Sequence, residues 1–304
     1  MNNYEFTCPE QKRIRLIIDT DAKNEADDQF AIVHHLLSEK MIVKGLIGAH
    51  FEKRYDMGQE KSMDMSYDEL KKILELMDLQ DQYPVFHGAT HAMPDQKTPV
   101  MSEGAQFIID EAMKDDDRPL FAVFMGAITD LAAAYLAEPR IAERLNVVWI
   151  GGGEWPVGGF EFNLMQDINA ANVVFASKLN LWQVPKDVYK QVKITLAELQ
   201  LKVRPYGKIG RYLFDQMVEF NNEWADHKGF PMGEGWVLGD QPTVSVLLED
   251  HEHAYEWRPA PQVSDEMFYI HEQNNRPIRV YKYVDVRMTM EDLYAKLAIN
   301  YPNQ

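Results

Sequence analysis

The chain has 304 residues, 46% of them hydrophobic, with one cysteine and a net charge of −17. That is enough apolar material for a large core, leaves no internal disulfide framework, and disfavours a nucleic-acid backbone or an anionic membrane as partner. The start, Met1-Asn2-Asn3-Tyr4-Glu5, has neither a basic nor an apolar leader region, and no stretch approaches a membrane span, so a soluble cytoplasmic protein is expected.

In chain order, apolar strand-like runs alternate with amphipathic helical stretches. Strands are predicted over 16–19, 43–48, 84–87, 120–125, 147–150 and 181–184, with helices over 27–38, 66–77, 103–114, 129–137 and 169–177 between and after them. Residues 196–222 read as helical, 241–248 as a short helix, 280–286 as a late strand and 292–299 as a closing helix. This rhythm predicts an α/β fold with an open, mostly parallel sheet and helices on both faces. One domain over 1–304 is the simplest organisation, with a helical cap within 196–240 as a variation on it.

The run Asp19-Thr20-Asp21-Ala22-Lys23-Asn24-Glu25-Ala26-Asp27-Asp28 places five carboxylates and an amide between the first strand and the first helix. Acids this dense repel one another and become tolerable around a hard cation, which takes six to eight oxygen ligands. Asp and Asn are also ordinary helix caps, but a cap needs one or two such residues. In open α/β sheets ligands bind beyond the carboxyl ends of the strands. There the chain also carries Gly48-Ala49-His50, Met125-Gly126 and Gly151-Gly152-Gly153 with its downstream loop.

The layout resembles the nucleoside hydrolase family of inosine–uridine-preferring type. Its signature Asp-x-Asp-Pro-Gly-x-Asp-Asp is matched at both ends by Asp19-x-Asp21 and Asp27-Asp28, with a middle two residues longer, as in a divergent branch carrying Asn-Glu-x-Asp-Asp. Gly126-Ala127-Ile128-Thr129-Asp130-Leu131 resembles the family's Gly-Pro-Leu-Thr-Asn-Leu turn. The Gly triplet followed by Glu161-Phe162-Asn163 and Asp167 resembles its Gly-Gly-Gly…Glu-Phe-Asn…Asp segment, and Gly239-Asp240-Gln241-Pro242 resembles its late His-Asp-Pro. The closing strand and helix match too, so the resemblance spans nearly the whole chain in order.

The resemblance implies a Ca²⁺-dependent hydrolase of a nucleoside or related riboside. Asp21, Asp28, Asp240 and the backbone carbonyl of Met125 would be the protein's metal ligands. Asp21 would also be the general base that takes a proton from the attacking water, with cleavage through an oxocarbenium-like state. Asp27, Asn24, Glu161, Asn163 and Asp240 would contact the substrate. Family analogy also implies a homo-oligomer.

Gly239 stands where many members carry His, so a leaving-group acid is missing there. His50 is a candidate acid or ligand-binding group. Trp236 either stacks on a purine or is core, and Trp155 or Glu154 replaces an Asn usually found in that loop. His87 and His91 flank another loop, whereas His34 and His35 lie inside the first helix as structural residues. Without Glu161 and Asn163 in this context, their segment would read as a strand edge with polar residues outward. Two other readings compete: a metal-dependent sugar- or nucleoside-binding protein without turnover, and a haloacid-dehalogenase-like phosphatase using Asp19 as nucleophile. The second leaves Asp27, Asp28, Glu161 and Asp240 unexplained.

Overall fold

Every residue of strand β1 (Ile14–Thr20) is buried, as expected of a strand with neighbours on both edges and helices on both faces. The computed structural model describes residues 3–53, 61–226, 233–249, 252–271 and 275–302. β1 lies parallel between β2 (Met41–Gly48) and β4 (Leu120–Met125). Beyond β2 comes β3 (Val85–His87), and beyond β4 come β5 (Leu145–Ile150) and β6 (Asn180–Val184), all parallel. The sheet has eight strands in the order β3-β2-β1-β4-β5-β6-β12-β9, where β12 (Pro277–Tyr281) is parallel to β6 and β9 (Tyr255–Pro259) closes the edge antiparallel. Two short antiparallel pairs lie outside it: β7 (Lys193–Thr195) with β8 (Gly235–Val237), and β10 (Gln262–Val263) with β11 (Tyr269–Ile270). The expected α/β architecture is what the chain adopts.

Side-chain alternation along the strands builds two cores. Leu16 and Ile18 share one with Phe30 of α1 (Asp28–Leu36), Leu70 of α2 (Ser62–Leu76), Val244 of α10 (Pro242–Leu248) and Leu293 of α11 (Val286–Asn300). Ile17 and Ile47 face the other, with Ala105 of α3 (Glu103–Ala112), Leu131 of α4 (Thr129–Ala137) and Val174 of α6 (Ile168–Ala176). Trp149 is fully buried in this second core, edge-on to Phe175, and its indole N–H donates to the Gly126 carbonyl at 3.2 Å. Trp149→Ala is expected to cost about 3–5 kcal/mol of unfolding free energy, read from urea denaturation; a loss below about 1 kcal/mol would mean the site collapses without a cavity.

Several elements differ from the sequence expectation. The helix over 196–222 is broken into α8 (Leu196–Lys202) and α9 (Gly207–Glu223). Pro205 lies in the break, where a proline cannot continue a helical hydrogen-bond ladder. α9 reaches back to the acidic loop, Gln216 Nε2 donating to the Ala26 carbonyl at 2.7 Å. Residues 227–232 of the expected cap lie outside the described residues. The late strand runs over Pro277–Tyr281 rather than 280–286, because Asp285 caps α11 by accepting from Met288 N at 2.8 Å.

α1 and α10 are tied by buried polar contacts. His34 Nδ1 meets Gln241 Oε1 at 2.8 Å, and His35 Nε2 meets Thr243 Oγ1 at 2.9 Å.

Candidate active site

The carboxyl ends of β1, β2 and β4 meet in register, Thr20 lying opposite both Gly48 and Met125. The segments that leave these strands therefore converge on one rim. Asp21 opens the acidic loop. Its backbone carbonyl accepts from Asn24 N at 2.8 Å, and its Oδ1 accepts from Asn24 Nδ2. Gly126 lets β4's end approach closely, since a β-carbon there would lie 2.9 Å from Asp21 Cγ. Asp28 starts α1, where the helix dipole favours a carboxylate, and its Oδ1 accepts from the Thr20 hydroxyl.

Asp240 comes from the other end of the chain, between β8 and α10. Asp27, Asp28 and Asp240 each bring a carboxylate oxygen within 4.8 Å of the others, and all three are buried. Among the described residues this is the one such grouping of His, Cys, Asp and Glu. Asp27 Oδ2 also accepts from Gly239 N at 2.7 Å.

Burial, then repulsion among these acids, holds Asp21, Asp28 and Asp240 well above the usual carboxylate range. Asp27 is pushed up to about 6 by burial, opposed by backbone N–H donors that include Gly239's. Asp21 Oδ2, Asp28 Oδ2 and Asn24 Oδ1 are buried without a protein partner. Unsatisfied carboxylate and amide oxygens around an acidic cluster are the donor set a hard divalent cation takes. Thiolate and imidazole, which zinc favours, are absent from it. The residues present fit a hard cation.

Asp19 is fully buried too, but its carboxylate is raised by burial and by Asp130 rather than by this cluster. Met125 ends β4 with its side chain buried, Sδ lying 3.5 Å from Thr243 Oγ1.

A second group of residues follows β5. Glu161 is not on a strand edge: it caps α5 (Phe162–Gln166), and Asp167 caps α6. Glu161 Oε2 accepts from Gly152 N at 2.9 Å and Leu164 N at 2.8 Å. Its Oε1 accepts from Asn163 N at 3.2 Å and from the Tyr189 hydroxyl at 3.1 Å. Asn163 Nδ2 donates to the Ile150 carbonyl at 2.9 Å, which fixes the amide at the end of β5.

Two expectations change. His50 lies at the rim, but burial pushes it down to about 3, so the ring carries no spare proton at neutral pH. Its Nε2 is 2.8 Å from Thr129 Oγ1, which in turn donates to Asp167 Oδ2 at 2.8 Å. With the hydroxyl proton directed at Asp167, Nε2–H is the donor and Nδ1 is bare. His50 Nε2–H is thus engaged by Thr129, and Nδ1 has no protein partner. Trp236 is in the core on β8, 3% exposed and edge-on to Phe220 at 5.5 Å, so the stacking role does not fall to it. Trp155 Nε1 is engaged with Gln183 Oε1 at 2.9 Å.

Sequence reasoning missed Tyr189, which ends α7 (Lys186–Tyr189) and joins Glu161 to the Gly239 loop. The signal was present, since residues just past β6 lie at the same carboxyl rim.

The family model for inosine-uridine preferring nucleoside hydrolases matches residues 16–293. The chain belongs to this family. Among curated nucleoside hydrolases, it is 33% identical over 132 residues to the inosine-uridine preferring nucleoside hydrolase of Leishmania major, covering 42% of each chain. It is 26% identical over 144 residues to the pyrimidine-specific ribonucleoside hydrolase RihA of Enterobacter sp. (strain 638), covering 46% of this chain and 45% of the relative. The matched stretch thus spans under half the length of these curated relatives. Two solved nucleoside hydrolase structures share the fold. The plant nucleoside hydrolase PpNRh1 has a TM-score of 0.75 at 18% identity over 93% of this chain and 98% of its own. The purine-preferring ribonucleoside hydrolase from Gardnerella vaginalis has 0.74 at 20% identity over the same shares. No helix among the described residues is long and apolar enough to cross a membrane.

Proposed function

We propose that this nucleoside hydrolase family member is a Ca²⁺-dependent enzyme that hydrolyses the N-glycosidic bond of a nucleoside or related riboside, releasing base and sugar. The observation that carries this reading is the buried Asp27–Asp28–Asp240 grouping, with unpartnered oxygens on Asp28 and the adjacent Asp21. Asp21, Asp28, Asp240 and the Met125 carbonyl are the groups to hold the cation. When bound, such an ion acidifies water and anchors hydroxyls of the sugar.

The chain's own residues supply the rest. Asp21 has Oδ1 pinned by Asn24 and Oδ2 free, which suits a base that takes a proton from the attacking water. Asp27 and Asp240 face the sugar hydroxyls, with Asn24 beside them. Glu161 and Asn163, both anchored at the end of β5, hold the sugar from the other side. The surrounding carboxylates favour the positive charge that develops at C1′ as the bond to the base breaks.

The test is base release from a panel of purine and pyrimidine nucleosides and from p-nitrophenyl riboside, with Ca²⁺ and with chelator. Chelator-sensitive release supports the enzyme; no release from any substrate overturns it. A catalytically altered binding protein is the second reading, favoured by Gly239, which offers no side chain to a departing base. Tight riboside binding without cleavage would establish it. The same reading includes a single domain, a homo-oligomer in solution, a cytoplasmic location and no nucleic-acid or membrane partner, with light scattering to check the oligomer.

His50→Asn is expected to lower kcat/KM for nucleosides and for p-nitrophenyl riboside by a common factor, because the neutral ring's one N–H is engaged by Thr129. A loss confined to the nucleosides, whose leaving groups need protonation, would return His50 to the role of acid.

A further inference from the structure

Gly239 and Tyr189 compete for one volume beside the acidic cluster. A β-carbon at residue 239 would lie 3.1 Å from Tyr189 Cδ2, 3.7 Å from Cε2 and 3.3 Å from Asp27 Oδ2. It would emerge between the tyrosine ring and a cluster carboxylate, close enough that the ring would have to give by a few tenths of an ångström. The other end of the same tyrosine is the hydroxyl that donates to Glu161 Oε1 at 3.1 Å. Burial and the neighbouring Glu161 hold that phenol far above its ordinary value, so it stays a neutral donor. Its backbone is fixed in α7, with Tyr189 N donating to the Pro185 carbonyl at 3.1 Å. One residue therefore bridges the two halves of the site, Glu161 after β5 and the Asp27–Gly239 contact before α10.

We propose that Tyr189 is the specificity-determining residue of this site, its ring filling the space that a side chain at 239 would occupy and its hydroxyl positioning Glu161 for the sugar. This rests on the nucleoside hydrolase reading above. A substrate meets an aromatic wall next to Asp27, and the shape of that wall sets which base fits. Proton transfer to the departing base is not assigned to Tyr189, whose O–H is already given to Glu161.

Two experiments separate this from the activity itself. The first is a thermal-stability cycle of wild type, Gly239→His, Tyr189→Ala and the double variant. Gly239→His is expected to lower Tm in the wild-type background and much less beside Tyr189→Ala. An equal drop in both backgrounds overturns the shared volume. If Gly239→His does not fold, Gly239→Ala is the smaller probe of the same contact. This cycle needs no turnover, so it is read even if no nucleoside is cleaved.

The second is the nucleoside panel. Tyr189→Phe keeps the ring and loses one hydrogen bond to Glu161, and is expected to raise KM about three- to tenfold with kcat little changed. Tyr189→Ala is expected to change the ratio of kcat/KM between purine and pyrimidine nucleosides, which Tyr189→Phe leaves alone. A uniform loss on every substrate overturns the specificity role. If wild type binds nucleosides without cleaving them, the activity reading fails and the same ratio is read from Kd values; unchanged ratios overturn the proposal there too.

Discussion

Asp21→Ala is expected to reduce kcat/KM for nucleoside cleavage by about a thousandfold or more, within the range that loss of a positioned base produces. The carboxylate is buried, one oxygen is engaged by Asn24, and the other has no protein partner. A β-carbon at Gly126 would lie 2.9 Å from its Cγ, so the end of β4 comes close to the group. Asp21→Asn keeps the shape and removes the charge, and is expected to lose as much. The check is steady-state kinetics at saturating Ca²⁺ with the metal content of each variant measured. Near wild-type turnover by either variant removes Asp21 as base. Lost turnover with metal retained isolates the role as base, whereas loss of both reports the role as ligand.

Chelation is expected to destabilise the protein strongly at neutral pH and weakly in acid. Each cluster carboxyl has a folded value raised above its unfolded one, so the folded state binds those protons more tightly. For Asp27, held at about 6, the resulting penalty is absent below about pH 4, grows as pH rises towards 6, and is complete above it. That single group costs on the order of 3 kcal/mol at pH 7 without a cation. Asp21, Asp28 and Asp240 are raised further and extend the window upward. A bound divalent ion offsets the repulsion and adds its own binding energy. Thermal unfolding with Ca²⁺ and with chelator should therefore differ by about 5 °C or more at pH 7.5 and converge at pH 5. An equal difference at both pH values would mean that the carboxylates do not cause it, and no difference at all would remove the metal.

The parallel sheet was readable because its strands are short apolar runs separated by amphipathic helices. The strand Leu120–Met125 and the helix Thr129–Ala137 fall where periodicity places them. The edge was not readable: Tyr255–Pro259 alternates with charge, as a half-exposed antiparallel strand does, and gives no continuous apolar signal. The helix break at Pro205 was legible in principle, yet the periodicity continues through it and hides it.

At the site, the acidic loop announced itself by charge density. Its partnership with Asp240 rests on tertiary packing, which periodicity does not report; only the ordered resemblance pointed to it. His50 and Trp236 show the converse limit. Both residue types suit chemistry, and it is burial, invisible in a single sequence, that holds the His50 ring neutral and places Trp236 in the core. Tyr189 lacked any motif, and only its closeness to Gly239 and its bond to Glu161 give it meaning.

The contact between Asp27 and Gly239 joins positions 212 apart in sequence, and the His35–Thr243 contact joins positions 208 apart. During synthesis the acidic loop therefore leaves the ribosome long before its partner. By then β1, β2, β4, β5 and β6 have all emerged, and chains assemble from the N-terminal side as they are made. Throughout that interval the nascent chain has the acids of the loop without the oxygen of Asp240. On the proposed reading, the cation's ligand set is complete only once α10 has docked against α1. If Asp240 is a ligand as proposed, a chain stalled before residue 240 lacks part of the cluster whatever cation surrounds it.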